Sequence, residues 1–156
     1  MRRTFVTLVA LVLTLGLMAP VAAAQTKNFR AHLSGGDEVP AVDSGGQGQA
    51  IFRVDGDQVH YMLIVAHLDE ITQAHIHCAA AGVNGPVKVF LFGLVPTGVD
   101  SNGILSMGSF TAEDFTGACP GIETIDDLVA AMASGGAYVN VHTIDFPGGE
   151  IRGQIG

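Results

Sequence analysis

His75-Ile76-His77 places two imidazoles two residues apart. Along an extended strand side chains alternate, so both rings point to one face with their Cα atoms about 6.5–7 Å apart. From there they can converge on one ion at metal–nitrogen bonds of about 2.0–2.1 Å. A third ligand must come from elsewhere, and His142 is the candidate. It closes the run Tyr138-Val139-Asn140-Val141-His142, where the two valines face one way and Tyr138, Asn140 and His142 the other. Three neutral imidazoles suit zinc or copper and leave one position for water or a ligand. Glu150 and Asp145 are candidates to ligate or to orient the ligands, and Asn140 is a candidate to orient them. A half-exposed strand that alternates polar and apolar residues gives the same pattern, so surface or hydrogen-bonded histidines stay open as the other reading. His32, His60 and His67 lack partners at an informative spacing and read as structural or exposed.

Other features carry less chemistry. Asp37, Glu38 and Asp43 lie in a Gly-rich loop without EF-hand spacing and read as turn and solvation residues. Gly35-Gly36 and Gly45-Gly46 open no helix, so no phosphate loop is implied. Ser44 has no nucleophile-elbow context. Glu150 and Arg152 share a strand face and are expected to pair with each other or with a neighbouring strand. Glu150 is the one general base that can be named, and no acid–base or nucleophile constellation is visible.

The elements that must position these residues are short β-rich runs divided by Gly, Asp, Asn and Pro. Strands are predicted over 29–33, 50–54, 59–65, 71–77, 87–92, 103–110, 138–143 and 150–155. The Asp55-Gly56-Asp57 turn joins the second and third into a hairpin. The 59–65 strand is apolar on both faces and should be central. Thr124-x-x-Asp127 resembles a capping box opening one short helix near 124–134, stopped by Gly135-Gly136. The fold class is mostly β, an antiparallel β-sandwich.

At the amino terminus Arg2-Arg3, an apolar run from Phe5 to Met18, Pro20 and Val21-Ala22-Ala23-Ala24 read as a secretory signal peptide, residues 1–24, with an uncleaved membrane anchor over Thr4 to Ala24 as the alternative. Residues 25–156 are then one secreted or periplasmic domain with no membrane span after cleavage. The whole chain has 7 Lys and Arg against 15 Asp and Glu. The signal carries Arg2 and Arg3 and no acid, so the mature domain is more acidic still. Such a surface repels nucleic acid and anionic lipid and attracts cations. There are 2 cysteines, Cys78 and Cys119. Export makes a disulfide between them the expectation; Cys78 as a metal ligand and a pair of free thiols are the alternatives.

Three segments resemble the CHRD (chordin-type) domain family. They are Leu33-Ser34-Gly35-Gly36-Asp37-Glu38-Val39-Pro40, Ala74-His75-Ile76-His77 with Gly82-Val83-Asn84-Gly85-Pro86-Val87, and Tyr138 to Thr143 with Pro147-Gly148-Gly149-Glu150-Ile151-Arg152-Gly153-Gln154. The resemblance implies a β-sandwich-like extracellular module spanning essentially the whole mature chain, with His75, His77 and His142 inside its motif segments. Cys78 and the alanines after it depart from the Gly-containing, cysteine-free turn expected there. A looser likeness, to copper/zinc superoxide dismutase, rests on the His-x-His, a later strand histidine, a Gly-rich loop, a disulfide and an acidic exported β fold. It implies a Greek-key sandwich but supplies no bridging histidine. Two functions follow, beside the plainer reading of an exported structural or adhesion domain without metal. One is an exported binding module without catalysis, holding copper or zinc or meeting an extracytoplasmic protein partner. The other is a copper- or zinc-dependent enzyme using the same histidines.

Overall fold

Gly56 takes a φ of 61°, and the two-residue connection it opens folds β2 (Gln47–Asp55) onto β3 (Gln58–His77). The two pair without a slip from Asp55–Gln58 to Gln47–Ala66. The structure, a computed structural model, describes residues 26–156; the expected signal peptide lies outside them. The other elements are β1 (Lys27–Ser34), β4 (Val87–Phe92), β5 (Val99–Phe110), α1 (Ile125–Ala133), β6 (Tyr138–Thr143) and β7 (Ile151–Gln154).

The sequence predicts two strands where β3 runs unbroken for 20 residues. His67 and Glu70 take φ of 56° and 50°, and the pairing with β5 shifts on either side of Leu68. Such bulges bend a strand without ending it. Leu68 and Ile71 stay buried through the bend, which keeps the strand seated on the core. β3 changes neighbours there. Its first half lies between β2 and β5, its second between β6 and β4.

That exchange closes the sheet. The order β2-β1-β7-β6-β3 returns to β2, giving a five-stranded antiparallel barrel, with β4 and β5 added along β3. The expected mostly-β antiparallel class and, among the described residues, the single α-helix are present. The arrangement corrects the two-sheet sandwich: one sheet curls on itself because one long strand serves both ends of it.

Leu33, Phe52, Leu63, Ile76, Val139, Val141 and Ile151 form the buried core. α1 is capped by Thr124, whose side chain accepts from the Asp127 N–H while the Asp127 carboxylate accepts from the Thr124 N–H. Its Leu128, Val129 and Met132 are buried against that core. On β6 the valines join the core, as their alternation predicts. The opposite face is buried as well, with Tyr138, Asn140 and His142 at 2%, 3% and 6% exposure.

Candidate metal centre

Strand register assembles that buried outer face. One row crosses the sheet as Ser34, Arg152, Asn140, His75 and Phe90. The next has His77 opposite Tyr138, and Tyr138 opposite Gln154. His75 and His77 come from the end of β3, and His142 from the end of β6. Each of the three offers a ring nitrogen, and these atoms all lie within 4.8 Å of one another. A tetrahedral ion with bonds of about 2.0–2.1 Å sets its ligand atoms about 3.3 Å apart. No pair in the cluster is therefore more than about 1.5 Å wider than that spacing.

Two rings are oriented by backbone carbonyls. His77 Nδ1 lies 2.9 Å from the Gly85 oxygen and His142 Nδ1 lies 2.9 Å from the Pro147 oxygen. A carbonyl only accepts, so each Nδ1 carries the proton and each Nε2 presents its lone pair. His142 Nε2 then receives the Nδ1 proton of His75 across 3.1 Å. The Nε2 atoms of His75 and His77 are buried and meet no hydrogen-bond partner. A buried nitrogen left so costs about 1–3 kcal/mol, and a bound cation would remove that cost.

The loop over residues 78–86 roofs the site. Gly85 is clamped at both ends of its peptide, its N–H donating to the Tyr138 hydroxyl at 3.1 Å while its carbonyl holds His77. A Cβ at this position would overlap the Cys78 carbonyl oxygen. Below the loop the rings of His77 and Tyr138 stack with centroids 4.8 Å apart. The Arg152 guanidinium lies 3.5 Å over the Tyr138 ring. Arg152, 1% exposed, donates to the Val83 and Ala80 carbonyls and the Asn84 side-chain oxygen. The Cys78–Cys119 disulfide ties the roof to the chain 41 residues on. It meets the expectation and leaves no free thiol to ligate an ion.

Burial sets the protonation. It pushes the His75 imidazole down to about 3, with the neighbouring His142 and His77 adding to the effect. Burial lowers His77 too, against the opposing pull of the Gly85 carbonyl, and His142 against that of Pro147. All three are therefore neutral at pH 7, the form that binds a metal.

Several sequence expectations need correction. Glu38 is no solvated loop residue: it is buried and accepts from the Asn140 Nδ2 at 2.7 Å. Burial raises its carboxyl to about 7 despite the nearby Arg152 charge. Glu150 does not pair with Arg152. Its two oxygens accept from the Ser44 and Thr143 hydroxyls at 2.6 and 2.7 Å, and it stands outside the histidine cluster, as does Asp145. His32 and His67 are exposed and His60 is partly exposed. Glu38, Gly85, Tyr138 and Arg152 are the site residues that spacing did not single out. Tyr138 carried a signal through its shared alternation with His142, and Glu38, Gly85 and Arg152 lie within the segments that resemble the family.

Among the described residues no helix is long and apolar enough to cross a membrane. The family model of the CHRD domain matches residues 29–155. A search of the curated proteins finds no match, and a search of the solved structures finds none.

Proposed function

The chain belongs to the CHRD domain family, and from that premise we propose that it is an exported binding module that holds one copper or zinc ion on His75, His77 and His142. The observation that carries this reading is the convergence of three neutral imidazoles on a buried point, with the Nε2 atoms of His75 and His77 otherwise unmet. The donor set suits either metal. Gly85 and Pro147 hold two of the rings, and all three rings are buried. Binding at His142 Nε2 requires that nitrogen to give up the hydrogen bond it now accepts from His75 Nδ1.

The rings are 2%, 8% and 6% exposed. Such enclosure favours a resident ion over a centre that exchanges substrates, and Glu150, the base named from sequence, is engaged by two hydroxyls. Both points favour a binding module over the metalloenzyme alternative. Export by the 1–24 signal fits the disulfide, which belongs to an oxidising compartment. Within that reading, an extracytoplasmic protein partner would meet the surface around the closed centre.

Calorimetric titration of the exported protein with zinc and with copper(II) tests the proposal. One equivalent of either should bind the wild type and neither should bind His75→Ala/His77→Ala. Equal behaviour of the two proteins would remove the histidines from the account.

A further inference from the structure

We infer that the side-chain oxygen of Asn140 is the fourth donor of the histidine centre, aligned by Glu38, and that the site is therefore built for a divalent ion. The inference rests on the metal reading above and goes beyond it in naming a non-histidine donor and the class of ion.

Asn140 stands directly opposite His75 in the register, two residues before His142 and on the same face. It is 3% exposed. Its Nδ2 donates to Glu38 Oε1 at 2.7 Å. Amide nitrogen and oxygen are alike in shape, and the partner decides between them. A carboxylate oxygen accepts, so the nitrogen belongs on the Glu38 side and the oxygen points away from it. That oxygen is buried and has no hydrogen-bond partner.

An asparagine kept only to tie Glu38 to the sheet would have its other end satisfied too, as buried polar atoms generally are. Here the unmet atoms on this face are His75 Nε2, His77 Nε2 and Asn140 Oδ1. Their types are those of a metal donor set. Gly149 packs against the pair so closely that a Cβ would run into both the Asn140 amide and the Glu38 carboxylate. The amide is thus held in one orientation.

Three imidazoles and a neutral amide oxygen form a borderline-to-hard set. It suits zinc(II) and copper(II) over copper(I), which prefers sulfur.

Cobalt(II) is the probe, because its visible bands report the ligands around it. Two double variants remove or strengthen the donor without leaving half of a buried pair. Glu38→Met/Asn140→Leu deletes both polar groups, and Glu38→Gln/Asn140→Asp reverses donor and acceptor and sets a carboxylate oxygen where the amide oxygen was. The inference expects cobalt(II) affinity to fall roughly tenfold or more in the apolar pair and to rise in the reversed pair, with the visible bands shifted in both. Wild-type affinity and wild-type bands in the reversed pair would overturn the role of Asn140 while leaving the histidines in place. Failure of the wild type itself to bind cobalt(II), zinc or copper(II) would overturn the histidine reading and this inference with it. Should near-ultraviolet dichroism show the apolar pair unfolded, the reversed pair alone decides.

Discussion

At the scale of single residues, the Gly85 peptide couples the roof of the site to its ligands. It holds His77 by its carbonyl and Tyr138 by its N–H, and the overlap of any Cβ with Cys78 leaves no room for a larger residue. Gly85→Ala should therefore lower zinc affinity and thermal stability together, both readable by titration and a melting curve. Protonation gives a second prediction. The three histidines are held below their usual 6.5, so the unfolded chain takes up protons that the folded metal-free protein refuses. Stability of the apo form should then fall as pH drops below about 6.5. Glu38 acts in the opposite sense. Its carboxyl is raised from 4.5 to about 7, so it favours folding at low pH and loses that contribution as pH climbs between those values. Urea unfolding across pH should show His75→Ala/His77→Ala less sensitive to acid, and Glu38→Gln without the decline toward pH 7. The three histidines were legible because alternation along two strands places their rings on matching faces. Glu38 was not, because its burial depends on a fold that brings residue 38 beside residue 140.

Among the elements, β3 decides most. Local sequence marks its two apolar halves and the polar residues between them, which reads as two strands and a loop. The bend at His67 and Glu70 is instead carried by unusual backbone angles while Leu68 and Ile71 stay anchored, and side-chain pattern holds no signal for that. α1 lies at the other extreme. Its cap, its apolar face and its Gly135 stop are all local, and the structure reproduces them. Thr124→Ala should cost about 1 kcal/mol, measured by denaturant unfolding, since it removes the hydroxyl that accepts from Asp127. The loop from Cys78 to Pro86 depends on its tie to Cys119. With a sequence separation of 41, the disulfide is worth up to about 4 kcal/mol in the chain-entropy view. Cys78→Ser/Cys119→Ser should lose much of that and also bind zinc more weakly, because His77 then loses a fixed acceptor. Unchanged affinity would mean that the loop holds its shape without the bridge.

For the molecule as a whole, the antiparallel mostly-β class could be read from short alternating runs and turn residues, but closure into a barrel could not. Sandwich and barrel use the same alternation, and the difference lies in one strand exchanging partners midway. Composition speaks more directly to setting. Acidic residues outnumber basic ones 15 to 7, and both cysteines are spent on a disulfide, in keeping with an exported domain. Amino-terminal sequencing of the protein recovered outside the cytoplasm should begin at Gln25; a chain still starting at Met1 would contradict cleavage.

The central claim is that three histidines from β3 and β6 hold one ion on the buried outer face of this barrel. The most direct measurement is an anomalous-difference map from crystals of the exported protein, collected at the zinc and copper absorption edges. The account predicts a single peak about 2.0–2.1 Å from one nitrogen each of His75, His77 and His142, with the Asn140 oxygen turned toward it. A featureless map from protein grown with either metal, and His75 still hydrogen-bonded directly to His142, would contradict it.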